Sequence, residues 1–305
     1  MMRMRPALVA TCLGAAVLVT CAAAAPRAEP IAKIHVGIQS GLVMPAAGSI
    51  WTSDLVFSRV VRIDPSSNGV TRRIAFGSRP FGLAYGAGSI WVSERSAGRL
   101  ARINPRTNRV VKRIRIGFDS YGLAFGARSV WVTSEADHTL RRINPKKNRV
   151  VARIKVGGKP NGVVYAFGAI WVADLGGGRV LRVNPAKNKV TARIVVSEAD
   201  WITPSADALW VSTEGGEVIR LDPATRSIVA RIRVGRNPLA SAWIGGELWV
   251  PNIDDGTISV IDPARNAVRT TFAVGDEPLA VAETAGDAWV SISGDGDVAR
   301  FHPAG

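Results

Sequence analysis

The sequence predicts an all-β fold, a seven-bladed β-propeller in which each blade is a sheet of four strands. Tryptophan recurs every 39 or 40 positions along the chain, at Trp51, Trp91, Trp131, Trp171, Trp210, Trp249 and Trp289. Each period contains several short apolar runs separated by turn residues, which is the pattern of propeller blades. An Asp-Pro or Asn-Pro pair also recurs, at 64–65, 104–105, 144–145, 184–185, 222–223 and 262–263.

The residues before the first repeat have the composition of a secretory signal peptide. Arg3 and Arg5 are followed by an uncharged run over residues 7–25 that ends in small residues, and no second apolar run of membrane-spanning length follows. We therefore expect a signal peptide at 1–25 and a single propeller domain at 26–305. The mature protein is then exported, to the periplasm or the outside of the cell.

Both cysteines, Cys12 and Cys21, lie in this leader. The mature chain is therefore expected to have no disulfide, although an exported protein could form one. Its stability must come from the buried core, which a chain of this size can build. As an alternative, residues 18–21 faintly resemble a lipoprotein processing site, which would attach a lipid anchor to Cys21.

Each copy divides into four strands at its turn residues. In the second copy the strands are predicted over residues 80–85, 89–94, 99–104 and 109–116, counted from the axis outward. The turn after the third strand is built on the Asp-Pro or Asn-Pro pair. The Asp or Asn side chain bonds to the backbone two residues on, and proline sets the next φ, so each pair predicts a tight reversal.

The two ends of the chain are predicted to complete one blade. The last copy stops after its third strand, at 297–302, whereas residues 31–36 resemble the fourth strands of other copies, such as 113–116. We infer that residues 31–36 supply the missing strand of the seventh blade and close the ring. Closure removes the radial sheet edges that would otherwise invite aggregation.

The net charge is +15, and the outermost strands carry much of the positive charge. Those strands hold Arg72, Arg73, Lys112, Arg113, Arg115, Arg153, Lys155, Arg193, Arg231 and Arg233. Charged side chains on an exposed strand edge discourage aggregation, which explains the basicity without a nucleic-acid partner. Contact with anionic polymers of the cell envelope is an alternative role for this charge.

Most of the 24 acidic residues fall in loops at one end of the ring. These loops follow each second strand or precede each first strand, and we call this end the upper face. An acidic face favours a cation, a divalent metal such as Mg²⁺ or Ca²⁺, or a cationic ligand. The identity of any metal is left open.

Two sets of residues are candidates for binding at the upper face. At the upper ends of the second strands, Asp54, Glu94, Asp174 and Asn252 offer oxygen atoms to a hard cation. At the inner starts of the first strands, Tyr121, Asp200 and Trp201 vary within an otherwise regular frame, which is where ligand specificity is expected.

Groups that could catalyse a reaction are sparse. The three histidines are His35 in a strand, His138 in an upper loop and His302 in a turn. Only His138 is placed where a general base could act. The mature chain has no thiol, no zinc-type Cys/His set and no readable serine triad, so no catalytic residue is assigned.

Several units of the repeat resemble a known family. Trp91-Val92-Ser93-Glu94, Arg102-Ile103-Asn104-Pro105 and Pro160-Asn161-Gly162 resemble the motifs of YVTN-type and virginiamycin B lyase-like seven-bladed propellers. The resemblance covers residues 31–303 and implies the same architecture. In the lyase family, a magnesium ion held by a Glu acts with catalytic histidines to open the lactone ring of streptogramin B antibiotics by elimination.

The resemblance can be followed to single positions. Glu94 matches the Glu that follows the lyase Trp-Phe-Thr unit. Some lyase histidines occupy Pro-His-Gly loops, whereas here the middle positions are Phe81, Tyr121 and Asn161. The fold is thus carried over, while the histidines of the lyase reaction have no counterpart in these loops.

Three functional hypotheses follow. The first is an exported, monomeric, non-catalytic propeller that binds a small ligand, a cation or an envelope protein on its upper face. The second is a lyase acting on streptogramin B, with Glu94 as metal ligand and His138 as base. The third is a gluconolactonase-like metal hydrolase, which would require a tight cluster of carboxylates near the axis.

Overall fold

The structure is a computed structural model that describes residues 28–303, and these residues form seven antiparallel sheets of four strands. The leader predicted at 1–25 lies outside the described residues. Blade 7 combines β1 (Ala32–His35) with three strands from the other end of the chain, and blades 1 to 6 are each built from consecutive strands. The predicted seven-bladed propeller is therefore confirmed.

The strands of blades 1 to 3 are β2 (Ser40–Ala46), β3 (Ser49–Asp54), β4 (Arg59–Asp64), β5 (Gly69–Ala75), β6 (Pro80–Gly86), β7 (Ser89–Glu94), β8 (Arg99–Asn104), β9 (Arg109–Arg115), β10 (Ser120–Gly126), β11 (Ser129–Ser134), β12 (Thr139–Asn144) and β13 (Arg149–Lys155). Those of blades 4 and 5 are β14 (Pro160–Ala166), β15 (Ala169–Asp174), β16 (Arg179–Asn184), β17 (Lys189–Val195), β18 (Ala199–Pro204), β19 (Leu209–Thr213), β20 (Glu217–Leu221) and β21 (Ile228–Arg233). Those of blades 6 and 7 are β22 (Ala242–Ile244), β23 (Glu247–Asn252), β24 (Thr257–Asp262), β25 (Ala267–Ala273), β26 (Pro278–Thr284), β27 (Asp287–Ile292) and β28 (Asp297–Phe301). Among residues 28–303, no helix has the length and apolar character needed to cross a membrane.

The ring closes where the sequence predicts. Strand β1 pairs antiparallel with β28, with Lys33 opposite Ala299 and Ile34 opposite Val298. Ile34 and Val36 are buried in an apolar cluster that also contains residues of blades 1, 6 and 7. Residues 32–36 therefore join the N-terminal end of the chain to blade 7 and close the ring.

The first strand of each blade lies nearest the axis and contacts the first strands of its neighbours. Backbones come especially close in blades 2 to 4. A Cβ atom on Gly82 would lie 2.1 Å from the carbonyl oxygen of Tyr121, and one on Gly122 would lie 2.3 Å from that of Asn161. Glycine at these positions is thus required by the approach of neighbouring inner strands.

The repeated tryptophans are structural, as predicted. Six of the seven are fully buried and Trp249 is 4% exposed. In blade 2, the indole Nε1 of Trp91 donates to the carbonyl oxygen of Gly86 at 3.0 Å. The tryptophans therefore fill the core with their one polar atom satisfied in most blades.

Five of these rings are associated with a feature that sequence reasoning did not identify. In blade 2, the guanidinium carbon of Arg102 lies 5.1 Å from the centroid of the Trp91 ring. Its Nη1 donates across the blade boundary to the carbonyl oxygen of Pro145 and to Asn148 Oδ1, both at 2.9 Å. We call this arrangement the interblade clamp. It recurs at Arg62, Arg142, Arg220 and Arg300.

The Asn-Pro turns have the predicted geometry and supply part of this clamp. The backbone N–H of Arg106 donates to Asn104 Oδ1 at 2.9 Å, two residues on, and five further turns repeat the contact. Four residues into the turn, Asn108 has φ 56°, in the left-handed region that Asn tolerates better than most residues. The same turn therefore reverses the chain and presents an acceptor to the neighbouring blade.

Candidate functional site

The carboxyl and amide groups at the ends of the second strands are buried inside their blades. Glu94 accepts from Arg99 Nε at 2.7 Å and from Arg113 Nε at 2.6 Å. Asp174 accepts from Arg179 Nε at 2.9 Å and from the backbone N–H of Gly177 at 3.2 Å. Burial raises the pKa of Asp174, while its bond to Arg179 opposes the rise. Both side chains brace the loops above the second strands.

The other two candidates of this set are placed in the same way. Asp54 Oδ1 accepts from the backbone N–H groups of Val56 and Phe57, each at 3.2 Å, and its Oδ2 has no hydrogen-bond partner among the described residues. Asn252 accepts from the backbone N–H of Gly235 at 3.1 Å and donates to Ser259 Oγ at 2.9 Å. The four candidates occupy equivalent positions in separate blades and do not converge on one point.

The fit of a magnesium ion can be tested on these contacts. Both carboxylate oxygens of Glu94 are taken by arginine side chains, which leaves neither oxygen free to bind a metal. Within residues 28–303, no group of three or more His, Cys, Asp or Glu side chains is arranged to hold a metal ion. The donor set at Glu94 therefore does not fit the magnesium that the lyase resemblance implies.

Neutralising Glu94 tests how much its ion pairs contribute to the stability of the fold. We expect Glu94→Gln to lower the free energy of unfolding by about 2 kcal/mol, because two arginines lose a fully buried charged acceptor. Urea denaturation provides the measurement. The matched control is Asp119→Asn, which removes a partly exposed carboxylate 3.6 Å from Arg95 and should cost less than about 1 kcal/mol. Equal losses would contradict a bracing role for Glu94.

The second predicted set does converge, at the upper mouth of the axis. Tyr121, Asn161 and Asp200 occupy the same position at the start of the first strands of blades 3, 4 and 5, and Trp201 follows directly. A Cβ atom on Gly162 would lie 2.8 Å from both the carbonyl oxygen of Asp200 and the Cα of Trp201. These residues therefore form a continuous arc, which we call the axial arc.

Asp200 is the buried acid of this arc. Only 5% of its surface is exposed, and Asn161 Nδ2 donates to its Oδ1. Burial raises the pKa of Asp200 to about 7; the hydrogen bond from Asn161 opposes the rise and the nearby charge of Glu214 adds to it. The group thus changes charge near neutral pH, where small changes in its surroundings decide its state.

The axial arc also carries aromatic rings. The Arg95 guanidinium lies 3.9 Å from the centroid of the Tyr121 ring and donates to its hydroxyl oxygen. Phe81 packs edge-on against the same ring, with the centroids 5.6 Å apart. Phe81 also packs, together with Trp201, against an apolar cluster that includes Leu42 and other residues of blades 1, 6 and 7. Apolar side chains from opposite blades therefore fill part of the axis.

The acidic character predicted for the upper face is uneven once ion pairs are considered. Many of its carboxylates pair with bases, as Asp295 and Asp297 do with Lys33 at 3.0 Å. Among the described residues, no salt bridge is made by Glu198, Asp200 or Glu214. Uncompensated negative charge therefore remains beside the axial arc, in blade 5.

Two participants at this mouth were not among the candidate binding residues: Arg95 was missed, and Glu214 was counted only as one of the upper-face acids. Each directly follows the last residue of a second strand, Glu94 or Thr213. The signal was present, because that loop position is charged in some copies and apolar in others. The role of this position could not be predicted from neighbouring residues, because Arg95 contacts the Tyr121 ring of the next blade, 26 residues on.

The fold and this site define the class of the molecule: a closed seven-bladed propeller with a polar and aromatic upper mouth. Comparison with solved structures agrees. One chain of hydrazine synthase from Kuenenia stuttgartiensis superposes with a TM-score of 0.76 at 14% identity, covering 95% of this chain and 99% of that one. A catalytically inactive virginiamycin B lyase from Staphylococcus aureus, solved with quinupristin, has a TM-score of 0.76 at 14% identity, covering 90% and 99%.

These identities establish likeness of fold alone. No protein-family model matches the sequence, and no curated protein matches it either. The resemblance to virginiamycin B lyase-like propellers, predicted from the blade motifs, is confirmed at the level of architecture.

Proposed function

We propose that this protein is an exported, non-catalytic propeller that binds a small cationic ligand at the axial arc. The observation that carries the proposal is Asp200, an acid buried at the mouth of the axis, bonded to Asn161 and followed by Trp201. Uncompensated carboxylates beside aromatic rings are the surroundings that attract an organic ammonium ion. Export rests on the leader predicted at residues 1–25.

The charge of Asp200 gives this site an expected pH dependence. Because burial raises the pKa of Asp200 to about 7, its carboxyl is mostly neutral below that pH and ionised above it. An ionised carboxylate attracts a cation, whereas a neutral one does not. Binding should therefore strengthen as the pH rises from 6 to 8.

The direct test is calorimetric titration of the mature protein with choline. Its neutral isostere, 3,3-dimethylbutanol, serves as the comparison, and Mg²⁺ and Ca²⁺ are titrated separately at the same ionic strength. We expect choline to bind more tightly than the alcohol, and Asp200→Asn to weaken choline binding about tenfold, as loss of one close charge would.

The control variant for this titration is Asp254→Asn. Asp254 is an exposed upper-face acid whose Oδ1 accepts from Asn237 Nδ2 at 3.2 Å, away from the axial arc. This substitution removes the same charge and should leave choline binding unchanged. Equal binding of choline and the alcohol, or equal weakening by the two substitutions, would contradict cation binding at the axial arc.

A second candidate is the lyase reaction, which is favoured by the likeness of fold to virginiamycin B lyase. The contacts of Glu94 and the residues at the Pro-x-Gly positions give it no support beyond that likeness. Incubation with quinupristin followed by mass spectrometry decides the matter. Metal-dependent loss of the intact lactone would replace the binding proposal by catalysis.

A further inference from the structure

The interblade clamp is complete at five of the seven blade boundaries within the described residues. At the boundary between blades 6 and 7, Val260 stands where the other blades carry arginine, so no charge needs a partner. The boundary between blades 4 and 5 is different. It keeps the arginine, Arg182, but lacks the two side chains that accept hydrogen bonds from the arginine elsewhere.

The two side-chain acceptors can be compared with their counterparts at this boundary. In blades 1 to 3 the arginine Nε donates to a serine at the start of the second strand, as Arg142 does to Ser129 at 2.8 Å. The matching residue in blade 4 is Ala169. Across the boundary, the turn position that holds asparagine in the completed clamps holds Arg226 instead, at φ 65°.

Arg182 is consequently left with one side-chain acceptor, Thr191 Oγ1 at 3.0 Å, which belongs to its own blade. Its guanidinium carbon also lies farther from the tryptophan ring, 5.9 Å from the centroid of Trp171. Within residues 28–303, neither Arg182 nor Arg226 makes a salt bridge. Two arginines thus lie at a boundary where the fold elsewhere pairs an arginine with an amide oxygen.

Both arginines line one cavity of about 440 Å³ on the lower face, with Phe167, Pro223 and Ala224 as its other walls. A comparable cavity of about 360 Å³ lies at the boundary of blades 1 and 2, where the walls include Asn108 and Asp64 as well as arginines. The groove is therefore a regular feature of the fold. Its chemistry at blades 4 and 5 is particular, because no acidic or amide side chain lines it.

We propose that the groove between blades 4 and 5 binds an oxyanion, a phosphate group either free or in a monoester. Its oxygens would accept from Arg182 and Arg226 and so take the place of the missing asparagine acceptor. Phe167 is a bulky residue held at φ 51° and is 41% exposed, so it gives the groove an apolar wall for the rest of an ester. This site lies at the opposite end of the ring from the axial arc and does not depend on the function proposed there.

The test is titration of the mature protein with inorganic phosphate and, separately, with glycerol 3-phosphate. Calorimetry and thermal unfolding are both recorded, with chloride at matched ionic strength as reference. We expect a dissociation constant on the order of 1 mM for an exposed two-arginine site. Tighter binding of the ester than of phosphate would assign the groove to esters, and the reverse order would assign it to the free ion.

The informative variant is Arg226→Asn, which recreates the turn residue of the completed clamps. It should weaken phosphate binding at least about tenfold. Without phosphate it should raise the melting temperature by about 2–4 °C, because Arg182 regains its acceptor and Asn suits a positive φ. Arg226→Gln removes the charge without the turn preference of Asn and should weaken phosphate binding to the same extent.

The matched control is Arg106→Asn, in the equivalent turn of blade 2, where Asn108 already completes the clamp. It removes one exposed charge and should leave phosphate binding intact. If phosphate raised the melting temperature equally in all variants, it would be screening a basic surface in general, and the proposed site would be wrong. A wild-type protein that responds to phosphate no more than to chloride would overturn it as well.

Discussion

A chain that begins at residue 37 should lose roughly 5 kcal/mol or more of unfolding free energy relative to one that begins at residue 28. The truncation removes β1, which pairs with β28, and takes away two buried side chains, Ile34 and Val36. Burial of each such side chain contributes about 1.5–3 kcal/mol. Urea denaturation of the two chains gives the difference directly, and light scattering should detect aggregation through the exposed edge of β28.

Two point variants separate strand packing from mere shortening of the chain. Ile34 is 6% exposed whereas Ile31, three residues earlier, is 56% exposed. Ile34→Ala should cost about 2–4 kcal/mol, and Ile31→Ala should remain within about 0.5 kcal/mol of wild type. Similar costs for both, or no effect of the truncation, would mean that β1 does not hold the ring closed.

The second large effect is a loss of stability with rising pH that originates at Asp200. Its carboxyl has an ordinary pKa of 3.8 in the unfolded chain, and burial raises the pKa to about 7 in the fold. Between these values the unfolded chain is ionised while the folded protein keeps the proton, so raising the pH favours unfolding. The contribution is full below pH 3.8 and is lost as the pH reaches about 7, a change of about 4 kcal/mol.

Asp200→Asn isolates this contribution because an amide cannot ionise but can still accept from Asn161. The unfolding free energy of wild type minus that of the variant should fall by about 4 kcal/mol between pH 4 and 8. The control is Asp262, a partly exposed carboxyl whose pKa is lowered by the backbone N–H of Ala264. Its contribution has the opposite sign and is lost as the pH falls. A flat difference for Asp200→Asn would show that its carboxyl is not desolvated.

Local and periodic features of this molecule could be predicted from its residues. The tryptophan period determined the number of blades, and the Asn-Pro and Asp-Pro pairs located the turns, because a short-range hydrogen bond and the fixed φ of proline act within a few residues. Ring closure was also predictable, since the unmatched strand at 31–36 had only one vacant place to fill.

The candidate site was only partly predictable, and its two predicted sets differ for a physical reason. Glu94 was predicted to offer oxygen atoms to a cation. Its actual partners, Arg99 and Arg113, lie 5 and 19 residues away, and the pairing of the strands brings them to it. Asp200 and Trp201 were identified because they depart from the regular sequence at the start of the first strands, and both residues do lie in a first strand, next to the axis.

By itself, then, the sequence determined seven blades, their turns and the strand that joins the two ends, because these depend on contacts within a blade and on periodicity. Only the tertiary structure decided which charged groups are neutralised, how deeply Asp200 is buried and where the interblade clamp is left open. Those properties depend on side chains of different blades, such as Arg182 and Arg226. Which side chains meet there is set by the packing of neighbouring blades, and such contacts leave no local pattern in the chain.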